Sequence, residues 1–184
     1  MKELSLNILD ITENSLKAGA TLTEISLIQE GNTLTLSITD NGSGMPEEIV
    51  RGVTDPFYTT RTTRKAGLGL PLLKLAAEQT GGSISIESRH IDTHPTDHGT
   101  RVTALFYTDH IDFTPLGDIV ATLTTLIQGH PDSDFLFCHK TQDRTVELDT
   151  RELREILEDV PLNSYEVIKW IEGNLLEQYS DPDQ

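Results

Sequence analysis

The first residues repeat on a helical period. Leu4, Ile8, Ile11 and Ser15 recur every three or four positions, with Leu9 and Leu16 widening the stripe, which predicts an amphipathic helix over residues 3–18. Gly19 stands where such a helix ends. The period then drops to two. Ile25 and Leu27, then Leu34, Leu36 and Ile38, alternate with polar residues, and Gly31-Asn32 between the two runs predicts a hairpin. The second run leads into Asp40-Asn41-Gly42-Ser43-Gly44-Met45-Pro46, where Pro46 with Glu47 and Glu48 predicts the first turn of a short helix. Residues 54–69 carry no period and are rich in Thr, Arg and Gly, so they read as a loop. Leu72, Leu73, Leu75 and Ala76 predict a helix over 70–80, closed by Gly81-Gly82, and strands follow at 83–88 and 100–107.

The rest of the chain reads as a small α+β unit. It comprises a helix over 116–127 and strands over 134–139 and 145–148 paired around Gln142-Asp143. A helix over 151–158 follows, with Thr150 as its N-cap. Asn163 with Glu166 reads as a capping pair that opens a last helix striped by Val167, Ile168, Ile171 and Leu175.

Composition bounds the class. Of 184 residues 36% are hydrophobic, which is enough for a packed core. No stretch approaches the ~18 consecutive apolar residues of a membrane helix. Glu3 and Asp10 fall where a secretory signal would be apolar, so a cytoplasmic location is expected. A single cysteine, Cys138, excludes a disulfide within the chain and a cysteine-based zinc site; it lies in an apolar run and reads as a buried thiol. The net charge of −16 argues against binding nucleic acid or an anionic membrane through a basic surface. Residues 1–108 carry 13 acidic and 9 basic side chains, and residues 109–184 carry 17 and 5. That shift places a boundary near residue 109, between a first domain (1–108) and an acidic C-terminal appendage (109–184).

Four segments carry candidate chemistry. Asp10 and Asn14 are one helical turn apart, so a carboxylate and an amide oxygen share a face, the pairing that holds a magnesium ion and orients a water. Asp40-Asn41-Gly42-Ser43-Gly44 puts a carboxylate before two glycines that let the backbone approach a flat ligand. Arg61-Thr62-Thr63-Arg64-Lys65-Ala66-Gly67-Leu68-Gly69 is a basic loop entering a helix N-terminus, a setting that favours anions. Gly99-Thr100-Arg101-Val102 opens a strand with a hydroxyl.

In this order and spacing the four resemble the N, G1, G2 and G3 boxes of the GHKL superfamily, which groups gyrase, the heat-shock-90 chaperones, histidine kinases and mismatch-repair ATPases. Asn14-Ser15-Leu16-Lys17-Ala18-Gly19-Ala20 resembles the mismatch-repair form. Asp55-Pro56-Phe57-Tyr58-Thr59-Thr60 followed by Gly67-Leu68-Gly69-Leu70 is similar to the F box and lid of histidine kinases. The resemblance covers about residues 3–108. It implies a Bergerat-type α/β sandwich, of α+β class, with helices on one face of a mixed sheet. It implies ATP as ligand, with Mg²⁺ on Asn14 and the adenine amine on Asp40. Gly42 and Gly44 would form the wall of the base pocket, and Thr100 would support Asp40 and a water. Gly67, Leu68 and Gly69 would meet the phosphates, with Lys17, Arg61, Arg64 and Lys65 as further phosphate contacts.

The chain departs from the pattern at Asp10. Hydrolysing branches have Glu there as general base, and Asp is one methylene shorter, so slow turnover is expected. Glu13 is a second carboxylate, on another side of the helix. The few residues before the first box leave no room for the dimerising helical hairpin that bears a histidine kinase's phosphoacceptor, so an acceptor would lie on a partner. Three readings follow: a slow ATPase or nucleotide-dependent switch, a kinase acting in trans on a protein, and a nucleotide sensor without chemistry that signals through its acidic end. A protein partner is expected, and a homodimer is compatible with the coupling of catalysis to dimerisation in the superfamily. His90, His94 and His98 recur every four residues, yet Pro95 and their place between two strands favour a solvated loop over a metal face. Trp170 reads as a core or interface residue.

Overall fold

The computed structural model describes residues 3–55 and 68–180. Helix α1 (Leu4–Lys17) is followed by the expected hairpin of β1 (Leu22–Glu30) and β2 (Thr33–Asp40), in which Glu30 faces Thr33 and Gly31 turns at φ +59°. Then come α2 (Glu47–Gly52), α3 (Gly69–Gln79), β3 (Ser83–Arg89) and β4 (Gly99–Tyr107). The second half supplies α4 (Ile119–Gly129), β5 (Asp134–Lys140), β6 (Thr145–Asp149), α5 (Thr150–Leu157) and α6 (Tyr165–Ser180).

The six strands form one mixed sheet in the order β3-β4-β2-β1-β5-β6. The β1–β5 pair is parallel and the others are antiparallel. The alternation read from the sequence becomes a two-faced sheet. Ile25 faces Ile38, Ile38 faces Val102, Ile25 also faces Phe137 and Phe137 faces Leu148, so the buried residues of β1, β2, β4, β5 and β6 share one side. Helices α3, α1, α4 and α6 lie side by side over that face. The other face carries Glu24, Ser26, Thr35, Ser37 and Arg101, half-buried or exposed. No helix among the described residues is long and apolar enough to cross a membrane.

Residues 109–184 build into this sheet and core. β5 runs along β1 from Leu22 opposite Asp134 to Ile28 opposite Lys140. Phe135, Phe137, Leu123 and Ile171 belong to the same buried cluster as Leu4, Ile8 and Leu36. The acidity that marks the segment in sequence lies on its outward faces. The joint is made at the N-terminus of α1, where Leu4 and Ser5 donate their N–H groups to the carbonyls of Pro115 and Leu116, at 2.9 and 2.8 Å.

Several local expectations shift. α4 starts at Ile119 rather than 116, because Gly117 turns at φ +77° and Asp118 caps the helix by accepting from the Ala121 N–H at 2.9 Å. The N-cap of α5 is Asp149, which accepts from the Arg151 N–H at 3.0 Å and ion-pairs with the Arg151 side chain, and this holds its carboxyl below the usual range. Thr150 turns inward instead, accepting from the Phe135 N–H and donating to Asp134, at 2.8 and 2.9 Å. Helix α6 starts at Tyr165, so Ser164 and not Asn163 precedes it. Cys138 is half-buried on the open face, not in the core, because it alternates with Phe137 on β5; partial burial, with Glu147 opposite, pushes its thiol up. Trp170 is 54% exposed on α6, which overturns a core role.

At the far edge of the sheet the Gln178 side chain closes a ring with β6. Its Oε1 accepts from the Glu147 N–H at 2.8 Å and its Nε2 donates to the Glu147 carbonyl at 3.0 Å. Nearby, the His139 ring stands 2.8 Å from the Tyr179 hydroxyl. Burial, then the neighbouring Arg144, lowers the His139 pKa, so the folded ring is neutral and its Nδ1 accepts from Tyr179. The unfolded chain takes up the proton more readily, so this contribution is present above the ordinary histidine pKa and is lost as pH falls from about 6.5 toward the lower folded value. The midpoint of thermal unfolding is expected to drop across that window, and a His139→Phe variant is expected to drop less when melted in parallel.

Candidate functional site

The site is assembled where the sheet's helix-covered face meets α1. Asp40 is the last residue of β2 and lies two and four positions after Ile38 and Leu36, so its side chain falls on that covered face. Its Oδ2 accepts from the Ser15 hydroxyl at 2.7 Å, and its Oδ1 from the Gly42 N–H at 2.9 Å. Each carboxylate oxygen has a second acceptor direction. The carboxylate is therefore fixed in orientation and still able to receive a donor.

Thr100 lies opposite Asp40 across the β2–β4 pair, and Ser88 lies opposite Thr100 across β4–β3. Thr100 is expected to support Asp40 and a water; its direct hydroxyl contact is with Ser88. The Thr100 hydroxyl is 2.8 Å from Ser88 Oγ, and the Asp40 carboxylate is held by Ser15 and Gly42. Ser88 also accepts from the Met45 N–H at 2.7 Å, tying the glycine loop to the sheet. Ser15 and Ser88 thus join the site. Ser15 was legible only as a polar member of an apolar stripe, and Ser88 required the strand register.

The glycine loop turns sharply against its neighbours. Gly44 adopts φ +72°, and a β-carbon there would stand 2.0 Å from the Arg89 carbonyl oxygen, so the loop lies directly on the end of β3. A β-carbon at Gly42 would meet the Ala18 carbonyl at 3.0 Å. Left-handed backbone costs a non-glycine residue about 1–3 kcal/mol before any clash. Gly44→Ala is expected to lose at least that much stability by chemical denaturation, because the obstructing atom is backbone.

Asp10 and Asn14 share a face of α1, as their spacing implies. Asp10 is pressed to the start of α3: a β-carbon at Gly69 would lie 2.6 Å from Asp10 Oδ2. The residue before α3, Leu68, has no polar side chain to cap it, and an α-helix N-terminus carries a partial positive charge that favours anions. Glu13 points the other way, its Oε2 3.0 Å from Nε2 of His130 at the end of α4. Asn7, which sequence reasoning missed, is fully buried; its Nδ2 donates to the Gly69 carbonyl at 3.4 Å and its Oδ1 has no partner among the described residues. Lys17 is exposed in the last turn of α1. Arg61, Arg64, Lys65 and Gly67 lie outside the described residues.

A cavity of about 1270 Å³ opens at this end of the sheet, with Asp40, Thr100 and Ser88 in its wall beside Met45, Val50 and Ile86. Its rim is formed by the loop between β3 and β4, including His90, His94 and His98. Among the described residues no three His, Cys, Asp or Glu side chains gather as a metal centre.

The model of the histidine kinase-, DNA gyrase B-, and HSP90-like ATPases matches residues 2–110. The chain belongs to this ATPase family. Within it, sporulation kinase C of Bacillus subtilis is 31% identical over 88 residues, covering 48% of this chain and 20% of the kinase. The DNA mismatch repair protein MutL of Listeria monocytogenes is 28% identical over 180 residues, covering 80% of this chain and 30% of MutL. The chain therefore spans between a fifth and a third of the length of these curated relatives. Among solved structures, the Aquifex aeolicus MutL ATPase domain complexed with ADP superposes with a TM-score of 0.55 over 86% of this chain and 70% of that one, at 14% identity. That likeness covers a larger share of the chain than residues 2–110. This ATPase family member is an α+β protein of the Bergerat type, related to histidine kinases and to MutL.

Proposed function

We propose that the chain binds Mg-ATP and acts as a slow ATPase used as a nucleotide-dependent switch. The observation that carries this reading is the Asp40 carboxylate, fixed by Ser15 and Gly42 at the wall of a cavity. A carboxylate so held suits the exocyclic amine of adenine, with Gly42 and Gly44 beneath the base. The cavity opens beside Asp40, Ser88 and Thr100, which suits a base set against that carboxylate. Leu68, Gly69 and the start of α3 would receive the phosphates, with Gly67, Lys17, Arg61, Arg64 and Lys65 as further contacts.

The donors present fit magnesium better than a transition metal. Asn14 offers one neutral oxygen, and Mg²⁺ takes few protein ligands and completes its shell with phosphate oxygens and water. When bound it would neutralise phosphate charge. In this reading Asp10 accepts the proton of the attacking water. Its carboxylate stands against the start of α3, where the terminal phosphate would lie. In the same reading residues 1–108 carry the nucleotide, and residues 109–184 pass its state to a protein partner through the shared core.

A second reading, transfer of the γ-phosphate to a separate protein, is favoured by the similarity to sporulation kinase C. One experiment separates the two. The purified protein is incubated with γ-labelled ATP and Mg²⁺, alone and with lysate protein, beside Asp10→Asn. Free phosphate that falls at least about a hundredfold in the variant supports hydrolysis with Asp10 as base. Label on a second protein supports the kinase. Bound ATP that stays intact in both arms overturns both in favour of sensing alone.

A further inference from the structure

The loop between β3 and β4 reaches the base site through one histidine. His98 Nδ1 bonds the carbonyl oxygen of Gly42, although the two are far apart in sequence. A carbonyl only accepts, so Nδ1 carries the hydrogen. The N–H of the same Gly42 donates to Asp40 Oδ1 at 2.9 Å. Gly42 is thus held on both sides, its preceding peptide by Asp40 and its following peptide by His98. Glycine has the freest backbone of any residue, so two anchors at this point matter more than at another. The neighbouring residue is fastened likewise. Ser43 donates to the Ala18 carbonyl at 2.9 Å and accepts from the Ile91 N–H at 2.8 Å. His98 itself lines the cavity with Asp40 and Thr100.

We propose that His98 is a positioning residue of the base site: by pinning the Gly42 carbonyl it fixes the Gly42 N–H that orients Asp40, and so favours a purine bearing an amine over one bearing an oxo group. The proposal rests on the nucleotide reading given above. An oriented carboxylate accepts from an amino group and repels a carbonyl oxygen. A carboxylate released from one anchor swings and discriminates less. The residue acts through Gly42 and Asp40.

Wild type, His98→Leu and His98→Asn are titrated with ATP and with GTP by calorimetry, and melted in parallel. Asn places an amide nitrogen near the position of Nδ1 and keeps the donor, whereas Leu removes it. One hydrogen bond of ordinary strength corresponds to a change of about three- to tenfold. His98→Leu is expected to weaken ATP by about that factor and GTP by less than about twofold, with His98→Asn close to wild type on both. A folded His98→Leu protein whose ATP-to-GTP ratio is unchanged overturns the proposal, as does His98→Asn behaving like His98→Leu. Where His98→Leu fails to fold, His98→Ser takes its place with the same expectation. Wild type that binds neither nucleotide overturns the nucleotide reading itself and this proposal with it. Wild type that binds ATP, with an unchanged ratio in the variants, overturns this proposal alone.

Discussion

Asp40→Ala is expected to weaken ATP binding about a hundredfold, read by calorimetry, while the protein stays folded. Hydrogen bonds to a charged group are worth about 1.5–3 kcal/mol each, and the variant loses the one to the base outright. It also leaves the Gly42 N–H and the Ser15 hydroxyl without their acceptor. Ser15 has an alternative, since its hydroxyl lies 3.4 Å from the Ile11 carbonyl. Asp40→Asn should therefore fall between the two. Its amide can take the place of the carboxylate toward Ser15, and it loses mainly the contribution of charge. A loss smaller than about threefold in Asp40→Ala would mean that the base is read elsewhere.

The second large effect concerns the acidic half. Phe137 is fully buried on β5, opposite Ile25 of β1 and Leu148 of β6. Truncating a buried Phe to Ala costs about 3–5 kcal/mol, a large part of the stability of a domain this size. Because β5 is the neighbour of β1, the loss should be felt in β2 and at Asp40, and unfolding should remain one transition. Hydrogen exchange followed by mass spectrometry checks this. Peptides from β2 and from β6 should lose protection together in Phe137→Ala. Residues 1–108 that keep full protection while residues 109–184 lose theirs would mean two separately folding units.

The sequence announced most of this architecture because its signals are local. The Leu4–Ile8–Ile11 stripe, the alternation from Ile25 to Ile38 and the Gly31-Asn32 turn each follow from contacts a few residues apart. The joining of β5 to β1 does not. It pairs residues more than a hundred positions apart, and neither strand's pattern names its partner. Charge speaks to surface alone. The acidic side chains of residues 109–184 record which faces meet water, and a shared core beneath them leaves no mark in net charge. At the site, glycines and carboxylates were legible because few residue types can do their work. Ser15, Ser88 and His98 were not, since a hydroxyl or an imidazole has many ordinary uses. Their partners emerge only from register and loop contact. Thr150 shows the limit of capping rules: Asp149 beside it was an equally good cap, and the choice was made by Phe135 and Asp134 on a neighbouring strand.

The ring that Gln178 closes with Glu147 gives the sheet a blocked rim. One amide side chain reproduces the donor and acceptor that a seventh strand would offer there. An incoming extended segment would have to displace it before it could pair with β6. Unprotected strand edges recruit one another into fibrils, and a plug at mid-strand interrupts the ladder such growth requires. Gln178 in this sense guards the edge of the sheet opposite β3, far from the cavity beside Asp40.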